Sequence, residues 1–214
     1  MLISTHGKPR VEGYTVRHFP PGIYAEQKDF EPGDFILTHG KSFISWAIRW
    51  GQKLRYHGND KKYTWWNHAA MIVTKEGELV EALGVGVRRS HISKYAKTDY
   101  HLIKLGSAAK DIDRDQVVGF ANWCLDERYG FVTIISIVMS LVIGGKFNFG
   151  FDGQQICSGL VARALERTWL IFDRTPSHVM PADLAKYFNV QPPPPGSSRG
   201  IIPEVKEDGL KSEL

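Results

Sequence analysis

The feature that most constrains this chain is the order of its hydrophobic periods, with strand-like runs first and helical ones after. EPGDFILTHG (31–40) is a Pro-Gly turn followed by a short apolar run, the pattern of a strand. NHAAMIVT (67–74) and ELVEALGVGV (78–87) are strand-like, with KEG as the turn between them, and DYHLIKL (99–105) reads as another strand. Among these strands, SFISWAIRWGQKL (42–54) places Phe43, Trp46, Ala47 and Trp50 at helical spacing. The second half is helical. DIDRDQVVGFANWCLDER (111–128) has an acidic start and a basic end that suit the helix dipole. MPADLAKYF (180–188) places Pro181 near a helix start. Strands followed by helices predict an α+β domain, an antiparallel sheet packed against helices.

The chain has 214 residues, enough for one domain with a sizeable core. Residues 31–190 are expected to form that domain. Residues 1–30 carry no sustained period and are taken as an N-terminal extension. Residues 191–214 (QPPPPGSSRGIIPEVKEDGLKSEL) have little to bury and read as a disordered tail. The net charge of +4 is mildly basic, and the densest cationic spots, NDKKY and VRRSH, are short. Nucleic-acid binding calls for clustered cations on one element, so no nucleic-acid partner is expected. The sequence has no CxxC, HExxH, EF-hand loop or phosphate-binding glycine loop, so neither metal nor cofactor is expected.

The start of the chain, MLISTHGKPRVEGYTV, lacks the apolar core of a secretion signal. FVTIISIVMSLVIG (131–144) is almost entirely apolar, but its 14 residues fall short of the roughly 20 that a spanning helix needs. It is expected to be a buried helix, with membrane contact through it as the less favoured alternative. A cytoplasmic location is the default expectation, and delivery to the cell envelope by another route stays open.

Three residues stand out chemically. Cys157 in QQICSGLVARAL is one of only two cysteines. On a helix from about 156 to 168 it shares the inward face with Leu160, Val161, Ala164 and Leu165, and it lies in the first turn. Unpaired N–H groups and the positive dipole end favour an anion there, a setting that lowers a thiol's pKa. Buried cysteine is also an ordinary packing residue. Cys124, in ANWCLDER, reads as packing.

A thiolate nucleophile needs a base. His68 begins an apolar strand on which His68, Ala70 and Ile72 share a face. It is either that base or a packed strand-end histidine. Glu81 lies in a row with Leu79, Leu83 and Val85, where an unpaired carboxylate is expensive. It either orients an imidazole or reaches solvent from an edge strand. A two-residue turn at Glu76-Gly77 puts His68 and Glu81 on one face but pairs His68 with Val85. Glu81 then lies about 13 Å away along the strand, at ~3.3 Å per residue. Strong coiling or a bulge would be needed to close that gap.

PGDFIL, NHAAMIV, LVEALGVGV and ICSGLVARAL, in that order, resemble the circularly permuted papain-like cysteine hydrolases. These include bacterial YiiX/YaeF-like proteins and relatives of lecithin:retinol acyltransferase, with NlpC-type endopeptidases as unpermuted cousins. RYGFVTI before the cysteine resembles a segment of YiiX-like members. The resemblance covers roughly residues 30 to 190. It implies a permuted papain-like (NlpC-type) fold with the cysteine at a helix N-terminus. It also implies Cys157 as nucleophile, His68 as general base and Glu81 as the orienting residue. The expected activity is hydrolysis of an amide or peptide bond through a thioester, possible substrates including cell-wall peptide. The alternatives are a lipid-directed acyltransferase or thioesterase, and an inactive binding module.

Overall fold

The computed structural model describes residues 13–40, 43–83, 86–125, 157–168 and 170–194. The apolar segment 131–144 and most of the tail expected to be disordered lie outside these residues. So does Val85, which the sequence reading pairs with His68.

Six strands form one antiparallel sheet: β1 (Thr15–Phe19), β2 (Phe35–Thr38), β3 (His68–Ile72), β4 (Glu78–Leu83), β5 (Gly86–His91) and β6 (Tyr100–Lys104). Their spatial order is β1-β6-β2-β3-β4-β5. The described helices are α1 (Phe43–Arg55), α2 (Asp111–Trp123), α3 (Cys157–Leu165) and α4 (Pro181–Tyr187). The molecule is therefore α+β, an antiparallel sheet packed with helices.

Strand alternation sorts the core into two layers. Phe35, Leu37, Ala69, Met71, Val80 and Ile103 face the helices, where Val117 of α2, Leu160 and Val161 of α3 and Leu184 of α4 cover them. Their neighbours Ile36, Ala70, Ile72, Leu79 and Leu102 face the opposite way, under Phe19, Phe30, Ile92 and Tyr95. Both sheet faces are thus buried, which is why the central strands are nearly all apolar. α3 lies across β3 and β4 and packs on α2 and α4, so its first residue comes to the start of β3.

Three expectations are corrected. Residues 15–19, which the sequence reading places in an N-terminal extension, pair with β6 in the sheet. Phe19 stacks on Tyr100 at 5.1 Å, so the domain begins before residue 31. Residues 78–87 are not one strand, because β4 ends at Leu83 and β5 begins opposite it at Gly86. Gly86 holds φ at +119°, a value open to glycine. Cys124 is the C-cap of α2, not a residue deep within it, although it is buried as expected.

The β3–β4 turn is a further correction, and it sets the site. Val73 N–H donates to Glu78 O at 2.8 Å and Gly77 N–H to Thr74 O at 3.2 Å, so the loop is Thr74 to Gly77. Gly77, at φ +93°, provides the left-handed residue. The resulting register pairs Met71 with Val80 and Ile72 with Leu79. That differs by two residues from the register of a Glu76-Gly77 turn. An even shift leaves every side chain on its expected face.

Candidate active site

Continued past Met71, the observed register sets Glu81 opposite Ala70, so His68 is its diagonal neighbour on the same face. Diagonal pairs lie about 7–8 Å apart at their Cα atoms, within reach of long side chains. His68 Nε2 and Glu81 Oε2 are 2.7 Å apart.

Glu81 is fully buried, at 0% exposure, which is tolerable only because donors surround it. Oε2 takes His68 and, at 2.5 Å, the Tyr95 hydroxyl. Oε1 takes Lys94 Nζ at 2.6 Å and the Ser90 hydroxyl. Burial alone would raise the carboxyl's pKa. His68, Lys94 and Ser90 outweigh it and hold the group well below the usual carboxylate range.

The sequence reading missed these supporting residues. Ser90 sits on β5 opposite Leu79, one diagonal from Glu81, and alternation along RRSH would have found it once β5 was recognised as a separate strand. Lys94 and Tyr95 lie in the 3-10 turn Ile92–Tyr95 that follows β5. No periodic signal marks them.

Cys157 is the first residue of α3 and is 2% exposed. The His68 imidazole and the backbone N–H groups of Ala69 and Ser158 bear on its sulfur, and the helix start packs against the strand that carries the histidine. Ser158 fixes the other side, its hydroxyl donating to Val179 O at 2.7 Å.

With Nε2 taken by Glu81, Nδ1 is the ring nitrogen left for the thiol. Burial would push the Cys157 pKa up, but His68 and the two N–H groups outweigh it and the pKa is lowered. Burial likewise disfavours the imidazolium. The neighbouring sulfur and Glu81 outweigh that effect and raise the His68 pKa to about 9. Both shifts favour a thiolate–imidazolium pair, the charge distribution of an activated nucleophile beside a proton donor.

The structure thus brings Cys157, His68 and Glu81 together: Glu81 is hydrogen-bonded to His68, and His68 acts on the Cys157 sulfur. His39, in the loop after β2, is engaged away from these three residues. Its Nδ1 faces Trp65 O at 2.8 Å and its Nε2 faces Arg49 at 3.2 Å. Cys124 and Cys157 are both free thiols. Among the described residues no group of three or more His, Cys, Asp or Glu has the geometry to hold a metal ion. No helix among them is long and apolar enough to cross a membrane.

No model of a known protein family matches the chain, and no curated protein matches it either.

Proposed function

We propose that this protein is a cysteine-nucleophile hydrolase of the permuted papain-like type. Its reaction is hydrolysis of an amide or peptide bond through a thioester. The observation that carries this reading is the Glu81–His68 hydrogen bond beside Cys157, with the cysteine at a helix start and its pKa lowered by the histidine. A packing cysteine needs neither a histidine partner nor two N–H groups on its sulfur.

In the proposed reaction the Cys157 thiolate attacks the carbonyl carbon. The His68 imidazolium passes its proton to the departing amine as the tetrahedral intermediate collapses. Neutral His68 then takes a proton from water, the resulting hydroxide attacks the thioester, and the acid leaves with the cysteine regenerated. Glu81 remains ionised throughout, holding the ring in place and stabilising its protonated form. The Cys157 backbone N–H, at the start of a helix with no intrahelical acceptor, is the proposed oxyanion donor.

The test is intact-mass detection of an acyl adduct on Cys157 after incubation with peptide and lipid substrate pools. An adduct from the peptide pool that is absent in Cys157→Ala supports the reading. An adduct from the lipid pool alone replaces it with a lipid acyltransferase or thioesterase. No adduct from either pool counts against an acyl-enzyme route.

A further inference from the structure

Helix α1 is oriented against its own composition. Helical spacing puts Trp46, Trp50 and Leu54 on one stripe, the kind that normally faces a core. In the structure they are 54%, 37% and 43% exposed. The inward side instead carries Ser45, Gly51 and Gln52.

This orientation is anchored. The buried Gln52 amide donates to Trp66 O at 2.8 Å and accepts from Ala182 N–H at 2.9 Å. Rolling the tryptophans inward would break both bonds and strand the Trp66 carbonyl and the Ala182 N–H, a cost of about 1–3 kcal/mol each. The Trp46 and Trp50 rings lie parallel, 10° apart in tilt with centroids at 6.5 Å, and present one flat aromatic surface.

The local sequence carries charge of one sign. Residues 41–58 contain no Asp or Glu, and α1 carries Arg49, Lys53 and Arg55. Arg55 reaches toward Asp183, whereas Lys53 is exposed beside the aromatic stripe. Tryptophan and leucine beside an exposed lysine match the chemistry of a helix lying in a lipid interface. The apolar stripe enters the headgroup boundary and the lysine meets anionic headgroups.

We propose that the exposed face of α1 docks this protein onto an anionic lipid bilayer. The loop that leads into α1 is tied to the strand that carries His68. α1 follows Gly40, which exchanges two hydrogen bonds with Asn67, the residue before His68. The proposal rests on α1 alone and stands whether or not Cys157 is a nucleophile.

The experiment is cosedimentation of the full chain with vesicles of equimolar phosphatidylglycerol and phosphatidylcholine, compared with pure phosphatidylcholine, while tryptophan emission is monitored. The wild type is expected to bind the anionic vesicles with a blue-shifted emission, and added salt should weaken the binding. Trp46→Ser with Trp50→Ser should weaken binding at least about tenfold, given the apolar area withdrawn. Lys53→Gln alone should weaken it about fivefold. Because Lys53 is exposed, that variant keeps the test decisive even if the double variant does not fold. Three results would overturn the proposal: no wild-type binding to anionic vesicles, full binding by folded variants, or tryptophan-dependent self-association without lipid. The last would make a second copy of this chain the occupant of the face.

Discussion

Replacing Glu81 with Gln keeps the side chain's shape and removes its charge. Glutamine offers one acceptor oxygen and an NH2 group that only donates, so it cannot serve both pairs of donors. Lys94 is half-exposed and can turn to water, and the Ser90 hydroxyl can rotate to accept. The amide oxygen therefore stays with His68 and Tyr95, and the imidazole keeps its place. The contact drops from the upper to the lower end of the ~1.5–3 kcal/mol range for hydrogen bonds to charged groups, a loss of about 1.5 kcal/mol. At 1.36 kcal/mol per pKa unit, that is about one unit. The His68 pKa should therefore fall from about 9 toward about 8. A group whose folded pKa is raised contributes stability that is complete below its unfolded pKa of ~6.5 and is lost as pH rises through the folded value. The variant should lose that contribution at correspondingly lower pH. Nitrogen-15 NMR of the imidazoles measures the titration directly, with His68→Gln to assign the resonance. A folded Glu81→Gln protein with an unshifted His68 titration would refute the claim that the Glu81 charge sustains the imidazolium.

Glu81→Ala should reduce hydrolytic activity less than Cys157→Ala or His68→Ala, because orientation is worth less than the nucleophile or base itself. Equal activity of Glu81→Ala and wild type, at equal stability, removes Glu81 from the site. Asp34→Ala should destabilise the fold by about 3 kcal/mol in denaturant melts. It removes a buried carboxylate that pairs with Arg114 at 2.9 Å and accepts Leu105 N–H at 2.9 Å, leaving both donors inside. A change below ~1 kcal/mol would mean that Arg114 finds full compensation elsewhere. Gly77→Ala should cost about 2 kcal/mol. A Cβ there meets Ile92 Cγ2 at 2.9 Å on a backbone at φ +93°, and a neutral result would show that the β3–β4 turn readily adopts another form.

The face of each site residue was legible in the sequence, but its distance from the others was not. Alternation alone put His68 and Glu81 on one side of the sheet. Their separation depended on the turn length, which KEG does not specify: Thr74 joins the loop through its carbonyl and hydroxyl. Cys157 was legible because a helix start gives a thiol a reason to ionise. Tyr95 and Lys94 were not, because they act from a 3-10 turn whose place over Glu81 is set by tertiary packing. β1 was missed for a related reason. TVRHF is an edge strand exposed along most of its length and has no apolar alternation to reveal it. In α1 the period marked a face without saying which way it looked, and the hydrogen bonds of Gln52 decided that.

The central claim is that Cys157 is held as a thiolate by His68, and selective alkylation tests it most directly. Limiting iodoacetamide at about pH 6.5, below the ordinary thiol pKa of ~8.5, reacts with whatever thiolate is already present. Cys157 is nearly buried, so a small neutral disulfide reagent is run alongside to separate access from ionisation. Cys124, a fully buried free thiol, serves as the internal control. Mass-spectrometric peptide mapping after short exposures should show Cys157 modified much faster than Cys124, with most of that advantage gone in His68→Ala. Slow modification of Cys157 by both reagents, or fast modification indifferent to His68, would contradict the account.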